Sequence, residues 1–213
     1  MEKHFAILHT TPATISGMKA LCAELLPRLD VYHYLDDSLL PRINRNGEIT
    51  QDVKEEFALL VELAAKNRPA AILSACSTVG ELLEDLQPEF DIPLLRVDEP
   101  MARQAAAFDG RVMLCATLTS TLGPTLRLIK RYRTNGGPVD HQVLSEAGRL
   151  LAEGKREAYL QTIADALMVM AEEYDLVVLA QASMADALTL VPQALHKRFL
   201  TSPRTGVSAL AEY

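Results

Sequence analysis

The sequence contains few cysteines, and their arrangement excludes the small domains that disulfides stabilise. Its 213 residues include three cysteines, Cys22, Cys76 and Cys115, which lie far apart and form no CxxC pair. An odd count without paired spacing argues against a disulfide framework and against a structural zinc site. A reducing compartment suits such a chain, and we expect a cytoplasmic protein.

Long apolar runs and leader-like segments are also missing. The opening residues, MEKHFAILHTTPAT, carry one lysine and an apolar stretch interrupted by two histidines and a proline, unlike a secretory signal peptide. No stretch reaches the about 18 apolar residues that a membrane span needs. The sequence therefore predicts no membrane partner.

A basic surface and the common nucleotide-binding motifs are absent as well. The net charge is −7, and the densest basic cluster, at residues 127–133, fits the solvated face of one helix, so we expect no nucleic-acid partner. The chain has no Walker loop, GxGxxG or GxSxG motif. Its five histidines lack metal-ligand spacing. We expect neither a metal nor a cofactor.

What the sequence does contain is an alternation of short apolar runs with amphipathic stretches. With 49% hydrophobic and 23% charged residues, the chain can bury a sizeable core. Strands are predicted at residues 5–8, 31–34, 70–74, 93–97, 112–116 and 176–180, each apolar on both faces, as in parallel strands covered by helices. Helices are predicted at residues 16–26, 51–66, 79–86, 121–133 and 155–174. This order predicts an α/β fold with mainly parallel sheets.

Two similar lobes are predicted from an internal repeat. Residues 71–77 read AILSACS and residues 177–183 read VVLAQAS, each an apolar strand that ends in small and hydroxyl residues. We place an N-terminal lobe at residues 1–100, completed by about 200–213, and a C-terminal lobe at residues 101–199. Ligands of open α/β sheets lie at the carboxyl ends of the strands.

Small hydroxyl residues collect in five segments that we interpret as strand ends. The segments are Thr10-Thr11, residues 74–78, residues 117–121, residues 181–183 and Thr201-Ser202. Hydroxyls and backbone N–H groups at helix N-termini suit a carboxylate. For any single one of them, ordinary N-capping is the more common explanation. Their recurrence favours a shared carboxylate site.

Cys76, in the segment SACSTVG, lies where a predicted strand gives way to a helix. A helix N-terminus lowers the pKa of a thiol, so this cysteine is a candidate for chemistry. The alternative is a small buried side chain, which is how we interpret Cys22 and Cys115. The adjacent carboxylates Asp98 and Glu99 are interpreted as solvated caps in a loop.

Six segments, in order along the chain, resemble the aspartate/glutamate/hydantoin racemase superfamily. They read ILHTTPAT, ILSACSTVG, IPLLRVDEPM, VMLCATLTSTLGPT, DLVVLAQASM and LTSPRTGVSAL. The second contains the first catalytic position, the fourth is similar to the family's threonine-rich carboxylate loop, and the fifth falls at the second catalytic position. Together they extend from residue 5 to about residue 210.

The resemblance implies a fold and a chemistry. The family has two pseudo-symmetric α/β lobes with the active site in the cleft between them, and its members need no cofactor. Two cysteines face each other across the substrate; one removes the proton α to a carboxylate and the other returns a proton on the opposite face. Such a weak carbon acid requires fixed donors for the enediolate and a thiolate base.

In this sequence only one of the two cysteines is present. Cys76 matches the first, with Ser77 and Thr78 in place of the polar pair that follows it. The second position holds Gln181, or Ala182 when the two lobes are matched to each other, and no cysteine follows Cys115. Gln181 can orient a substrate but cannot deliver a proton, and a serine at 183 would need an activating base.

The resemblance therefore implies a cofactor-independent racemase or isomerase that acts at the carbon next to a carboxylate of a small amino, hydroxy or dicarboxylic acid. Cys76 would be its single thiol acid, base or nucleophile. Alternatives are a lyase similar to arylmalonate decarboxylase, a non-catalytic carboxylate-binding or regulatory protein, and a structural α/β protein. The superfamily often forms dimers, so a homodimer is also implied. Substrate-binding residues would be Thr10, Thr11, Ser77, Thr78, Thr117, Ser120, Thr121, Gln181 and Ser183.

Overall fold

Strands and helices alternate along the chain in the computed structural model, which describes residues 3–134 and 137–213. The strands are β1 His4–His9, β2 Asp30–Leu35, β3 Ile72–Ser74, β4 Leu94–Arg96, β5 Val112–Ala116, β6 Val139–Val143, β7 Leu176–Leu179 and β8 Phe199–Thr201. The α-helices are α1 Ile15–Leu25, α2 Leu39–Asn46, α3 Gln51–Ala65, α4 Gly80–Leu86, α5 Glu99–Ala107, α6 Thr119–Tyr132, α7 Ser145–Ala152, α8 Arg156–Glu173 and α9 Ser202–Ala209.

Contacts between residues divide the chain into two units. Unit 1 consists of residues 3–99 together with Pro203–Tyr213, and unit 2 consists of Pro100–Ser202. Each unit contains a parallel sheet of four strands within the described residues. The predicted α/β class is confirmed. The predicted bounds of the two lobes, residues 1–100 with about 200–213 and residues 101–199, stay a prediction.

The sheet of unit 1 has the strand order β2-β1-β3-β4, and every pair is parallel. Successive residues of a strand point to opposite faces, so β1 has two packing surfaces. Phe5 and Ile7 pack with residues of α1 and α9 on one face. Ala6 and Leu8 pack with residues of α2, α3 and α4 on the other. Burial on both faces explains why this strand reads as a continuous apolar run.

The sheet of unit 2 repeats this arrangement with the order β6-β5-β7-β8. Met113 and Cys115 of β5 pack with α7 and α8. Val112 and Leu114 pack with α5 and α6 on the opposite face. In both sheets, the second and third strands in spatial order are the ones whose carboxyl ends carry the predicted site segments.

The edge strands depart from the sequence prediction. β2 alternates partly buried and exposed residues, so the expectation of two covered faces is wrong for this strand. β6 was not predicted, because its middle residues, Asp140, His141 and Gln142, are exposed and polar. An edge strand keeps one side of its backbone in water and needs less apolar covering. The short strand β8 and the helices α2, α7 and α9 were also absent from the prediction.

Candidate functional site

Cys76 lies two residues after the end of β3, where the chain turns into a short 3₁₀ helix, Ser77–Val79, that leads into α4. Its backbone is extended, with φ −124° and ψ 110°, at the N-cap position of that helix. The Ser74 hydroxyl accepts the Cys76 N–H and donates to the Cys76 carbonyl, both at 3.4 Å. The Cys76 side chain is partly exposed. This geometry fixes the backbone of the one cysteine that solvent can reach.

The other two cysteines are packing residues, as the sequence predicted. Cys22 in α1 and Cys115 in β5 are both buried. Burial raises the pKa of Cys22 to about 11 and the pKa of Cys115 to about 12, because the charged thiolate is poorly solvated there. Both thiols are therefore protonated and unreactive at neutral pH.

The chain after β7 in unit 2 follows the same path as the chain after β3 in unit 1. The Ala75 N–H donates to the Leu8 carbonyl at 2.9 Å, and the Ala180 N–H donates to the Cys115 carbonyl at the same distance. Each alanine is the first residue after its strand, and the residue that follows is the N-cap of a 3₁₀ helix. The two strand ends are therefore equivalent residue by residue.

By this equivalence, Gln181 occupies in unit 2 the place that Cys76 occupies in unit 1. The Gln181 backbone is extended at the N-cap, with φ −112° and ψ 135°. Of the two alternatives from the sequence, Gln181 rather than Ala182 stands at the position equivalent to the cysteine. The difference between the two units at this point is a thiol in one and an amide in the other.

The Gln181 side chain is held by its oxygen. Its Oε1 accepts the Thr117 N–H at 2.5 Å and the Thr117 hydroxyl at 2.9 Å. Within residues 3–134 and 137–213, the Gln181 Nε2 makes no hydrogen bond, and the side chain is partly exposed. An amide oriented in this way presents its two N–H donors outward. It can bind an anionic oxygen and cannot transfer a proton.

Ser183 has a hydrogen-bond partner but not a base. Its hydroxyl lies 3.0 Å from the Tyr159 hydroxyl, which is completely buried. Burial raises the pKa of Tyr159 to about 12, so the phenol is protonated at neutral pH. A protonated tyrosine cannot activate Ser183 as a nucleophile or general base.

The structure places the predicted site residues in two groups. In unit 1 they follow the neighbouring strands β1 and β3, and in unit 2 they follow the neighbouring strands β5 and β7 or begin α6. Five of the ten side chains are buried, and the side chains of Thr11, Gln181 and Ser183 each make a hydrogen bond to a described partner. The first group is Thr10, Thr11, Cys76, Ser77 and Thr78; the second is Thr117, Ser120, Thr121, Gln181 and Ser183.

The two threonines after β1 behave differently. The Thr11 hydroxyl accepts the Ala13 N–H at 3.4 Å and caps the short 3₁₀ helix Pro12–Thr14, so the capping alternative applies to it. The Thr10 hydroxyl is buried and has no hydrogen-bond partner among the described residues. A buried hydroxyl without a partner costs free energy. Thr10 is therefore the stronger candidate to bind an oxygen of a ligand.

An ion pair that the sequence prediction missed lies beside the Cys76 segment. The Arg96 Nε and Nη2 donate to the two carboxylate oxygens of Asp98, each at 3.0 Å, and both residues are almost completely buried. The guanidinium lies across the N-terminus of α4, so close that a Cβ on Gly80 would be 2.5 Å from the Arg96 Nε. The pair therefore fixes the helix that follows the Cys76 segment.

The interpretation of Asp98 as a solvated cap is wrong. Its exposed fraction is 0%, because it neutralises Arg96 inside unit 1. Although burial lowers the pKa of Arg96, the charge of Asp98 and its hydrogen bonds raise it above the ordinary value. The sequence signal that could have identified this ion pair is the spacing of Arg96 and Asp98, because residues i and i+2 of an extended segment lie on the same face.

A chain of hydrogen bonds links two histidines to the segment after β1. The His9 Nδ1 lies 2.7 Å from the Thr14 hydroxyl, and the His9 Nε2 lies 2.9 Å from the His33 Nδ1. The Thr14 hydroxyl donates to the Thr11 carbonyl at 3.3 Å, so its oxygen accepts from His9. His9 is then protonated on Nδ1, and its Nε2 accepts from His33. His9 is completely buried.

Acid is expected to destabilise the fold through His9. Burial, with the charges of His33 and Lys19, lowers the pKa of His9 from 6.5 to about 4. The unfolded chain then binds the proton more readily, so the free energy of unfolding falls as the pH decreases from about 6.5 towards about 4. The full shift corresponds to on the order of 3 kcal/mol.

Urea unfolding at several pH values measures this effect. In His9→Gln, the free energy of unfolding should no longer show the decrease that His9 causes between about pH 6.5 and about pH 4. His196→Gln is the matched control, because His196 is partly exposed and bonds only the Val191 carbonyl. An unchanged pH dependence in His9→Gln would contradict the assignment.

Neither a metal centre nor a membrane span is found in the described part of the chain. No group of three or more histidine, cysteine or carboxylate side chains there is arranged to hold a metal ion. Among the helices described, none combines the length and the apolar character that crossing a membrane requires.

Comparisons with known proteins show which family and which solved structures this chain resembles. The family model for Asp/Glu/Hydantoin racemase matches residues 7–210. A glutamate racemase isoform from Bacillus anthracis is similar over 99% of this chain and 81% of that chain, with 17% identity and a TM-score of 0.75. An aspartate racemase from Picrophilus torridus is similar over 99% and 93%, with 12% identity and a TM-score of 0.74.

An allantoin racemase from Klebsiella pneumoniae is similar over 99% of this chain and 87% of that chain, with 14% identity and a TM-score of 0.64. A comparison with curated protein sequences gave no match. At these identities, the solved structures establish a shared fold.

Proposed function

The chain belongs to the Asp/Glu/Hydantoin racemase family, as the sequence segments predicted, and from this membership we propose a cofactor-independent enzyme with one catalytic thiol. It acts at the carbon next to a carboxylate of a small amino, hydroxy or dicarboxylic acid. Cys76 is the acid and base of the reaction. The first candidate activity is that of an isomerase or racemase, and the second is that of a decarboxylase.

The reaction that we propose proceeds through an enediolate. The Cys76 thiolate takes the proton from the α-carbon, and the electron pair of the broken C–H bond moves into the carboxylate to give the enediolate. The thiol then returns a proton to the same carbon. Because the enediolate carries extra charge on oxygen, it requires hydrogen-bond donors that are already in place. We assign that role to the hydroxyls of the predicted site residues, Thr10 first among them.

The observation that carries the proposal is the contrast between the two equivalent strand ends. One ends in a partly exposed thiol at the N-cap of a 3₁₀ helix, and the other ends in Gln181 at the same position. With one thiol, the direct outcome is exchange of the α-hydrogen with solvent. Inversion of the carbon additionally requires a proton from water on the other face.

Gln181 is proposed as a substrate-binding residue. Since Thr117 occupies its oxygen, the amide N–H groups are the part of the side chain left for a ligand. N–H donors favour a carboxylate or an enediolate oxygen over a cation. The buried Thr117 thus determines which end of the amide a ligand can meet.

A decarboxylase is the second candidate, and the absence of the second thiol favours it. Loss of CO₂ from a malonate-type acid leaves an enediolate without any base having removed a proton. One acid, Cys76, is then sufficient to protonate the carbon. The product has one carboxyl group fewer than the substrate.

Proton NMR in D₂O tests the proposal with a panel of amino, hydroxy, dicarboxylic and malonate-type acids. Enzyme activity is expected to remove the α-proton signal of at least one acid, or to convert a malonate-type acid to its one-carbon-shorter product. Chiral chromatography of the same samples then separates inversion from exchange with retention.

The same panel identifies a protein that binds without catalysis. Ligand-detected NMR that shows binding of an acid, while its α-proton and carboxyl groups persist, would contradict the proposed enzyme and support a carboxylate-binding protein. The homodimer implied by the resemblance stays a prediction.

A further inference from the structure

A cavity of about 320 Å³ lies in unit 1, away from the residues proposed for catalysis. It is bordered by α1, by the segment after α1 and by the edge strand β2. This volume is in the range of sites that hold small organic ligands. Residues that line it include Lys19, Cys22, Leu26, Leu29, Val31 and His33.

The polar part of the cavity is basic. Lys19 makes no ion pair or hydrogen bond within residues 3–134 and 137–213, and its charge acts on His33. The His33 Nδ1 is occupied by His9, whereas its Nε2 has no protein partner in the same described residues. No carboxylate lines the cavity. In a chain with a net charge of −7, this is a local site for an anion.

The remaining part of the cavity is apolar. Leu26, Leu29 and Val31 line it, and they also pack into the unit 1 core. Apolar side chains beside a pair of basic groups suit a molecule with one charged end and a hydrocarbon body.

We propose that this cavity binds a small monocarboxylate with an aliphatic or aromatic tail. The carboxylate lies between the Lys19 ammonium and the His33 Nε2, and the tail lies against Leu26, Leu29 and Val31. The site is distinct from the proposed catalytic residues, none of which lines the cavity. It does not depend on the proposed reaction.

Binding requires a proton on His33. In the hydrogen-bond chain to Thr11, the His33 Nδ1 donates to His9, so the neutral imidazole has an unprotonated Nε2. Burial and the charge of Lys19 lower the pKa of His33, so both oppose its protonation in the empty cavity. An anion at Nε2 opposes both effects by stabilising the imidazolium.

The other titratable groups around His33 keep their charge between about pH 6 and about pH 8. His9 has a pKa of about 4, and Cys22 has a pKa of about 11. Lys19 lies on α1 and has no carboxylate partner among the described residues. The affinity for the monocarboxylate therefore rises as the pH falls through this range, because His33 is protonated more easily.

Nitrogen–proton correlation NMR with phenylacetate and 4-methylpentanoate tests the site. Both probes are expected to shift the amide signals of residues 19–33 in a saturable way. Acetate, which lacks the tail, and phenylacetamide, which lacks the charge, are expected to bind at least about tenfold more weakly. The titration is repeated at pH values on both sides of neutrality, where wild-type affinity is expected to be higher at the lower pH.

Three variants provide the controls. Lys19→Met should weaken phenylacetate binding by about tenfold or more. Lys54→Met, an exposed lysine on α3 outside the cavity, should leave it unchanged. Ala23→Phe adds a ring at the cavity wall and should abolish binding without changing any charge.

The proposal is overturned by any of three results. The first is a titration whose shifts remain linear up to the highest concentration of phenylacetate. The second is saturable binding that Lys19→Met does not weaken. The third is a set of shifts confined to residues 10–11 and 76–78, which would place the probe among the proposed catalytic residues. None of these readouts requires turnover, so a failure of the proposed function does not affect them.

Discussion

Replacing Cys76 with serine is expected to lower the rate of α-proton exchange or decarboxylation by about 10²- to 10⁴-fold. A serine hydroxyl is far less acidic than a thiol, so it supplies almost no base at neutral pH. Since Cys76 is partly exposed and its backbone is held through Ser74, the substitution should leave the fold and the binding of carboxylates intact. Proton NMR in D₂O measures the rate, and ligand-detected NMR measures the binding.

Cys22→Ala is the control for the loss of a thiol. It removes a buried cysteine whose raised pKa makes it unreactive, so the rate should match that of the wild type. Alkylation with iodoacetamide should label Cys76 and spare Cys22 and Cys115. Turnover that survives Cys76→Ser undiminished removes this residue from the mechanism and would leave the family membership unaffected.

The fold was largely predictable, because strands that are buried on both faces are apolar at every position. β1, β5 and β7 are covered on both faces, and each is a continuous apolar run that the sequence analysis found. β6 carries Asp140, His141 and Gln142 at an exposed edge. Its pairing with β5 comes from backbone hydrogen bonds, which no side-chain pattern reports.

The strand ends were also predictable, but the partners of their side chains were not. The sequence places Cys76 and Gln181 after matching apolar runs, which leaves a one-residue uncertainty between Gln181 and Ala182. The backbone hydrogen bonds of Ala75 and Ala180 remove that uncertainty. The contact of Gln181 with Thr117 joins residues 64 positions apart, and sequence spacing does not predict it.

Sequence analysis missed the buried Asp98 and the cavity beside His33, because both are formed by elements that are separate in the sequence. Asp98 reads as a loop carboxylate, yet it is enclosed because α4 and the end of β4 come together around Arg96. The cavity beside His33 is lined by residues of α1, of the segment after α1 and of β2, which lie apart in the sequence. Both features depend on how separate elements pack.

Arg96→Met is expected to lower the free energy of unfolding by about 3–5 kcal/mol, because it removes the guanidinium that pairs with the buried Asp98 carboxylate. The side chains are 2% and 0% exposed, so water cannot replace the guanidinium. Arg96 also supports the N-terminus of α4 at Gly80, next to the Cys76 segment. Urea unfolding followed by far-UV circular dichroism measures the loss, since the chain has no tryptophan.

Arg204→Met is the matched control, because Arg204 pairs with Glu24 at 2.8 Å through an interaction that water surrounds. An exposed pair of this kind contributes about 0–1 kcal/mol. The double variant Arg96→Met/Asp98→Leu should recover much of the stability that Arg96→Met loses, since it removes the stranded charge along with its partner. Equal losses in Arg96→Met and Arg204→Met would show that Asp98 is solvated in solution. Failure of the double variant to recover stability would instead assign the loss to packing against Gly80.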